Sequence, residues 1–178
     1  SSIRITLSDR RSFDVDVVSA DPNFDIAVLK VRNGQRLPQV ALGTSADLMP
    51  GEPVIAIGNP FGLSNTVTTG VVSALHRSIR AADRTYEDFI QTDAAINPGN
   101  SGGALLSIEG KLIGINTAIH SEGSGIGFAI PIDKAMAVVE EVLRYGEVRP
   151  VNVGVEIDPT GTNGAIVSRI EKGSAVAR

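Results

Sequence analysis

Hydrophobic and polar positions alternate from the start of the chain. Ile3, Ile5 and Leu7 interleave with Arg4, Thr6 and Ser8, the period-two pattern of a strand with one buried face. A polar stretch, Ser8-Asp9-Arg10-Arg11-Ser12, separates it from Phe13, Val15 and Val17, which alternate with Asp14 and Asp16; the two predict a hairpin. The turn Asp21-Pro22-Asn23 leads into a third strand over 26–31, and residues 32–52, rich in Gly, Pro and Ser, read as a connection between subdomains. A second β-rich block follows. Strands are predicted over 54–57, closed by Gly58-Asn59-Pro60-Phe61-Gly62, over 66–75 and over 89–92, with a polar excursion across 77–87. Residues 104–107 and 111–117 flank the hairpin turn Ile108-Glu109-Gly110, and 125–130 closes the block.

The period then changes. Pro131 opens a helix in which Ala135, Val138, Val139, Val142 and Leu143 fall on one face, Asp133 stands near the start and Gly146 follows Tyr145 as a helix stop. Short strands over 153–157 and 165–170 complete the 178 residues. One helix, 19 Gly and 9 Pro predict a loop-rich all-β protein.

Composition narrows the function. Aromatic residues are 4% with no Trp, and the net charge is −4; neither suits stacking on single-stranded nucleic acid or binding a phosphate backbone, so no nucleic-acid partner is expected. Zero cysteines exclude disulfides, thiolate metal sites and cysteine nucleophiles. No phosphate-binding loop, dinucleotide fingerprint or metal-ligand spacing occurs, so no metal and no organic cofactor is expected. No apolar run approaches the roughly 18 residues of a membrane span. The chain starts without Met and is expected to be a piece or processed form of something longer.

The chemistry concentrates in Gly99-Asn100-Ser101-Gly102-Gly103. A serine hydroxyl is a weak nucleophile unless a base takes its proton and donors stabilise the oxyanion. Flanking glycines permit a turn that aims the Gly99 and Ser101 amides into one concavity. The same pentapeptide also fits a glycine-rich loop with a surface serine. Its surroundings are Gln91-Thr92-Asp93-Ala94-Ala95-Ile96-Asn97-Pro98 before it and Ala104-Leu105-Leu106 after it. Further along come Gly110-Lys111-Leu112-Ile113-Gly114-Ile115 and Gly125-Ile126-Gly127-Phe128-Ala129-Ile130-Pro131. Upstream lie Asp21-Pro22-Asn23-Phe24-Asp25-Ile26-Ala27-Val28-Leu29-Lys30 and Ala56-Ile57-Gly58-Asn59-Pro60-Phe61-Gly62. Together these resemble the HtrA (DegP/DegS-like) family of trypsin-fold serine proteases over residues 1 to about 150.

The resemblance implies a chymotrypsin-like double β-barrel, with 1–45 part of the first barrel and 46–131 the second. A linker helix over 132–150 and the start of a PDZ domain over 151–178 follow. It implies Ser101 as nucleophile, Asp25 as triad acid, and Gly99, Asn100 and Ser101 as oxyanion-hole amides. The family's histidine sits in a Thr-Asn-x-His-Val stretch ahead of the strand that starts here at Ile3. The two histidines present, His76 and His120, match neither its place nor its context and read as exposed loop residues, so these 178 residues alone are expected to be nearly inert. A shallow aliphatic substrate pocket is implied at Ala95, Ile96, Thr117, Ala118 and Ile126; Ile96 and Ile126 are equally readable as core. Asn100 has no charge with which to pair a new N-terminus, so switching through loop order is expected, with 74–87 the regulatory loop and Arg77 its sensor-contacting arginine. Misfolded polypeptide substrates, a homotrimer and an extracytoplasmic, periplasmic setting are implied as well. A pseudoprotease or peptide-binding regulator that keeps Ser101 without a base is the alternative, and an esterase-like hydrolase a second.

Overall fold

A computed structural model describes residues 3–32, 34–59, 66–81, 84–117, 125–149, 154–158, 166–174 and 176. The chain forms two compact units, 1–147 and 148–178. In the first unit, strands β1 (Ile3–Thr6), β2 (Ser12–Asp21) and β3 (Ile26–Val31) make an open antiparallel sheet in that order. The predicted alternation sets its faces only in part, since Ile3 and Val17, expected on the buried face, are 42% and 49% exposed. Phe13 and Val15 are buried, while Arg4 pairs with Asp14 at 3.0 Å and Arg32 with Asp16 at 2.7 Å on the solvent side.

Six strands close into a barrel: β4 (Pro53–Gly58), β5 (Thr66–Ala81), β6 (Arg84–Thr92), β7 (Ala104–Ser107), β8 (Leu112–Thr117) and β9 (Gly127–Pro131), arranged β4-β5-β6-β9-β8-β7 with β7 returning to β4. Closure removes the unpaired edges an open sheet would leave. It also gives the inward side chains one interior, filled by Leu48, Val54, Ala56, Val72, Ile90, Ala94, Leu105, Ile113 and Ala129.

The stretch predicted as a polar excursion over 77–87 is instead a continuation of the strands. β5 runs to Ala81 and pairs with β6 from Arg84, with Ile79 buried opposite Tyr86. The register slips between Val72 and Ala74, Ala74 and Arg77, and Arg77 and Ile79. These bulges break the period-two signal, which is why the charged residues read as a loop. His76 and Asp88 take left-handed φ of 54° and 63° at these slips, so His76 lies on a strand rather than in a loop.

Helix α1 (Ile132–Tyr145) starts one residue after Pro131 and ends at Gly146, φ 83°. Ile132, Ala135, Val138 and Val142 are buried, whereas Leu143, expected on the same stripe, is 73% exposed. The helix packs on β3, β8 and β9, a contact narrow enough for one row per turn. In the second unit, β10 (Val155–Asp158) and β11 (Ile166–Ile170) pair antiparallel.

Asp133 ties the 34–52 connection to the helix start. Its Oδ2 accepts from Thr44 Oγ1 at 2.9 Å, Ser45 N at 2.8 Å and Ser45 Oγ at 3.0 Å. Partial burial opposes ionisation of this carboxyl, but the Ser45 and Thr44 donors outweigh it and hold its pKa below the usual value. A group depressed in this way stabilises the fold above its unfolded pKa, near 4, and loses that contribution as pH falls through the folded value. Asp133→Asn should cost about 1 kcal/mol at pH 7, the low end for hydrogen bonds to an exposed charge. Urea denaturation of both proteins should show the difference shrinking below about pH 4.

Candidate active site

The serine loop is held by backbone hydrogen bonds to the end of one strand, β8. Within it, Asn100 N donates to Asn97 O and Gly103 N to Asn100 O, both at 2.9 Å. Outside it, Gly102 N donates to Asn116 O and Asn116 N to Gly103 O, again at 2.9 Å, which fastens the loop to the end of β8. The Asn116 side chain, 1% exposed, donates to Ile57 O and Ala104 O at 3.1 Å each. Gly99 and Gly102, at φ 100° and 80°, take the left-handed turns that other residues rarely adopt.

Asn100 has a different part from the one expected. Its amide donates to Asn97 O, so it is not offered to an oxyanion. Its side chain is buried, with Nδ2 donating to Ala95 O at 3.3 Å. It rests directly on Gly58, where a Cβ would lie 2.6 Å from Asn100 Cγ and Cα, and a Cβ on Gly103 would lie closer still to Ile57 O. The loop therefore depends on missing side chains in β4 as well as in itself.

Ser101 is exposed and opens on a groove lined by Ile5 and Thr6 of β1, Ile57 and Gly58 at the end of β4, Asn59 after it, and Gly99. The first sheet and the barrel thus meet at this serine. Asp25 enters from the first sheet. It follows a turn closed by Asp21 Oδ1, which accepts from Asn23 N at 2.7 Å and Phe24 N at 3.3 Å, and it takes φ 54°, a strained value of the kind that accumulates at functional sites. Thr117 Oγ1 donates to Asp25 Oδ2 at 3.2 Å. The serine loop hangs on residue 116 and the aspartate on residue 117, one peptide apart.

That contact corrects the reading of Thr117 as pocket wall: it is 3% exposed and gives its hydroxyl to the carboxylate. Asn116 and Thr117 were legible in one respect, as two polar residues ending a strand that is otherwise buried and apolar. Of the other pocket residues, Ala95 is exposed, with its carbonyl accepting from Thr68 Oγ1 at 3.0 Å. Ile96 is half-buried, covers Gly127 and packs on the barrel core, and Ile126 is 44% exposed. Ala118 lies outside the described residues, as does His120.

His76 lies apart from Ser101. Its Nδ1 is 2.7 Å from Asp88 Oδ1, and it borders a pocket with Ser45, Asp133 and Lys134. Arg77 lies on β5 and donates from Nε to Gln91 Oε1 at 3.0 Å. Among the described residues no cluster of three or more His, Cys, Asp or Glu could hold a metal ion. An exposed serine flanked by candidate amide donors, with a carboxylate fixed on the adjoining strand position, is an arrangement suited to acyl transfer once a base bridges the two.

Comparison with known proteins points the same way. A family model described as "Trypsin-like peptidase domain" matches residues 1–115. The chain is 49% identical over 165 residues to Protease Do-like 1, chloroplastic, of Arabidopsis thaliana, covering 89% of this chain and 38% of that protein. It is 43% identical over 192 residues to the periplasmic serine endoprotease DegP of Salmonella typhimurium, covering 100% and 40%. It therefore spans about two fifths of the length of these relatives. A solved structure of a variant of the HtrA-type protease AlgW with a decapeptide superposes with TM-score 0.84 at 41% identity, covering 99% of this chain and 57% of that one.

Gly58→Ala should unseat the serine loop, because the new methyl meets Asn100 head-on. A loss of about 1–3 kcal/mol is expected in urea denaturation, the usual cost of overpacking; an unchanged midpoint would refute the seating.

Proposed function

The chain belongs to the trypsin-like peptidase family and is homologous to the HtrA-type proteases, and from that membership we propose that the whole protein is a serine endopeptidase working through Ser101. The observation that carries the reading is the fastening of the Ser101 loop and the Asp25 carboxylate to consecutive residues of β8. In the proposed reaction a base removes the Ser101 proton as Oγ attacks the peptide carbonyl. The Gly99 and Ser101 amides stabilise the oxyanion, and the leaving amine takes the proton from the base. Water then hydrolyses the acyl-enzyme by the same route. Asp25 orients the base and stabilises it when protonated, and Thr117 holds Asp25.

The proposed base is an imidazole other than those at 76 and 120: neither stands in the Thr-Asn-x-His-Val context of the family, and His76 is engaged with Asp88 at a different pocket. These 178 residues alone are accordingly nearly inert. The pocket at Ala95, Ile96 and Ile126 takes small aliphatic side chains with broad preference, since one methylene shifts such choices by only about 1–3 kcal/mol.

Misfolded polypeptides outside the cytoplasm are the proposed substrates, and a homotrimer the proposed assembly. The support for polypeptide substrates and the setting is the relatives' names, periplasmic and chloroplastic proteases, and the peptide in the AlgW structure; the homotrimer rests on the family resemblance alone. The proposed layout keeps 1–45 and 46–131 as the two protease halves, 132–150 as linker helix and 151–178 as the start of a PDZ domain, in line with the separate unit from Val148.

In the whole protein, casein should be cleaved in preference to p-nitrophenyl esters, and Ser101→Ala should lower turnover roughly 10⁴-fold or more. No turnover of either substrate would favour a pseudoprotease. A fluorophosphonate probe should scarcely label the 178-residue chain; rapid labelling of Ser101 there would contradict the missing base. Arg77→Ala should blunt activation of the whole protein by peptide, and normal activation would remove Arg77 from that role.

A further inference from the structure

The bonds from Asp21 to Asn23 and Phe24 fix the shape of the turn before Asp25, yet they are local and say nothing of where the turn sits on the barrel. Two kinds of contact do. One is Thr117 on the carboxylate itself. The other begins one residue earlier, at Phe24, whose ring takes the Lys134 ammonium 5.6 Å from its centroid. The same ammonium stands 5.8 Å from the Phe89 centroid and donates to Glu87 O on β6. Phe89 is 2% exposed and meets Tyr86 and Phe128 edge-on, each at 6.4 Å, so it is a rigid partner. Arg84 reaches the same turn from β6, donating from Nη1 to Pro22 O at 3.4 Å.

We propose that Lys134 is a positioning residue for the peptidase reaction, clamping the turn that carries Asp25 to the β5–β6 hairpin. Its catalytic meaning rests on the function proposed above. The physical case is one of competing constraints. A left-handed aspartate persists only where its surroundings over-determine it, and Asp25 is exposed, with no core packing of its own. A cation held between two ring faces and a carbonyl supplies attraction from the barrel side, while Thr117 supplies it at the carboxylate. The hairpin that bears Arg77 thereby reaches the turn before Asp25, at Phe24 through Lys134 and at Pro22 through Arg84.

The clamp is tested in two arms. In ¹H–¹⁵N spectra of the 178-residue chain, Lys134→Met should shift the amides of Phe24, Asp25, Ile26 and Thr117 and speed Asp25 and Ile26 exchange roughly three- to tenfold, and Lys134→Arg should restore them. In the whole protein, Lys134→Met should lower kcat roughly three- to tenfold with KM within about twofold, and Lys134→Arg should recover it. Unmoved signals at 24–26 and 117, an Arg variant as impaired as the Met variant, or a change confined to KM would each overturn the proposal. Should Lys134→Met fail to fold, Phe24→Leu removes the ring from the turn and must move the Asp25 and Thr117 signals, or the proposal falls. If the whole protein cleaves no peptide, the functional reading fails, while the spectra still decide the clamp.

Discussion

The end of β8 is the constraint on which the site depends. A glycine-rich loop has few side chains to bury, here that of Asn100, so its place is decided largely by where its backbone hydrogen bonds go. Here they go to both backbone groups of Asn116, whose side chain binds β4 and the start of β7. The next residue, Thr117, holds the carboxylate of Asp25. Losing a partner from such a buried set leaves a polar group unsatisfied, at a cost of about 1–3 kcal/mol.

Barrel closure makes that strand end a fixed reference. β8 lies between β7 and β9, paired on both sides, and its inward residues reach the core around Ile113. The acid arrives from a sheet of another character, open, with ion pairs at Arg4–Asp14 and Arg32–Asp16 on its solvent face. Exposed pairs of this kind contribute little. The register of Asp25 against the serine loop thus follows from contacts made with the barrel rather than from the sheet's own strength.

Asn100 shows how a residue can be identified correctly and its work misread. Its lack of charge is plain in the sequence. That its amide is committed to Asn97 and its side chain to Ala95 is set by the fold of the loop itself, and that it rests on the bare backbone of Gly58 follows from the approach of segments some forty residues apart. Arg77 and His76 were misplaced for a related reason. Register slips in β5 scramble the alternation by which a strand is recognised.

Local order was legible along the chain. Period-two alternation marked β1 and β2, apolar runs bounded by turn residues marked β3 and most of the barrel strands, the change of period marked α1, and the glycines marked the loop around Ser101, because each of these depends on residues close in sequence. The pairing of Thr117 with Asp25, the exposure of Leu143 and the meeting of Lys134 with Phe24 and Phe89 depend on segments brought together only when the barrel closes and the helix docks. No spacing along the chain encodes such contacts, since they arise from the packing of surfaces and not from the periodicity of any one of them.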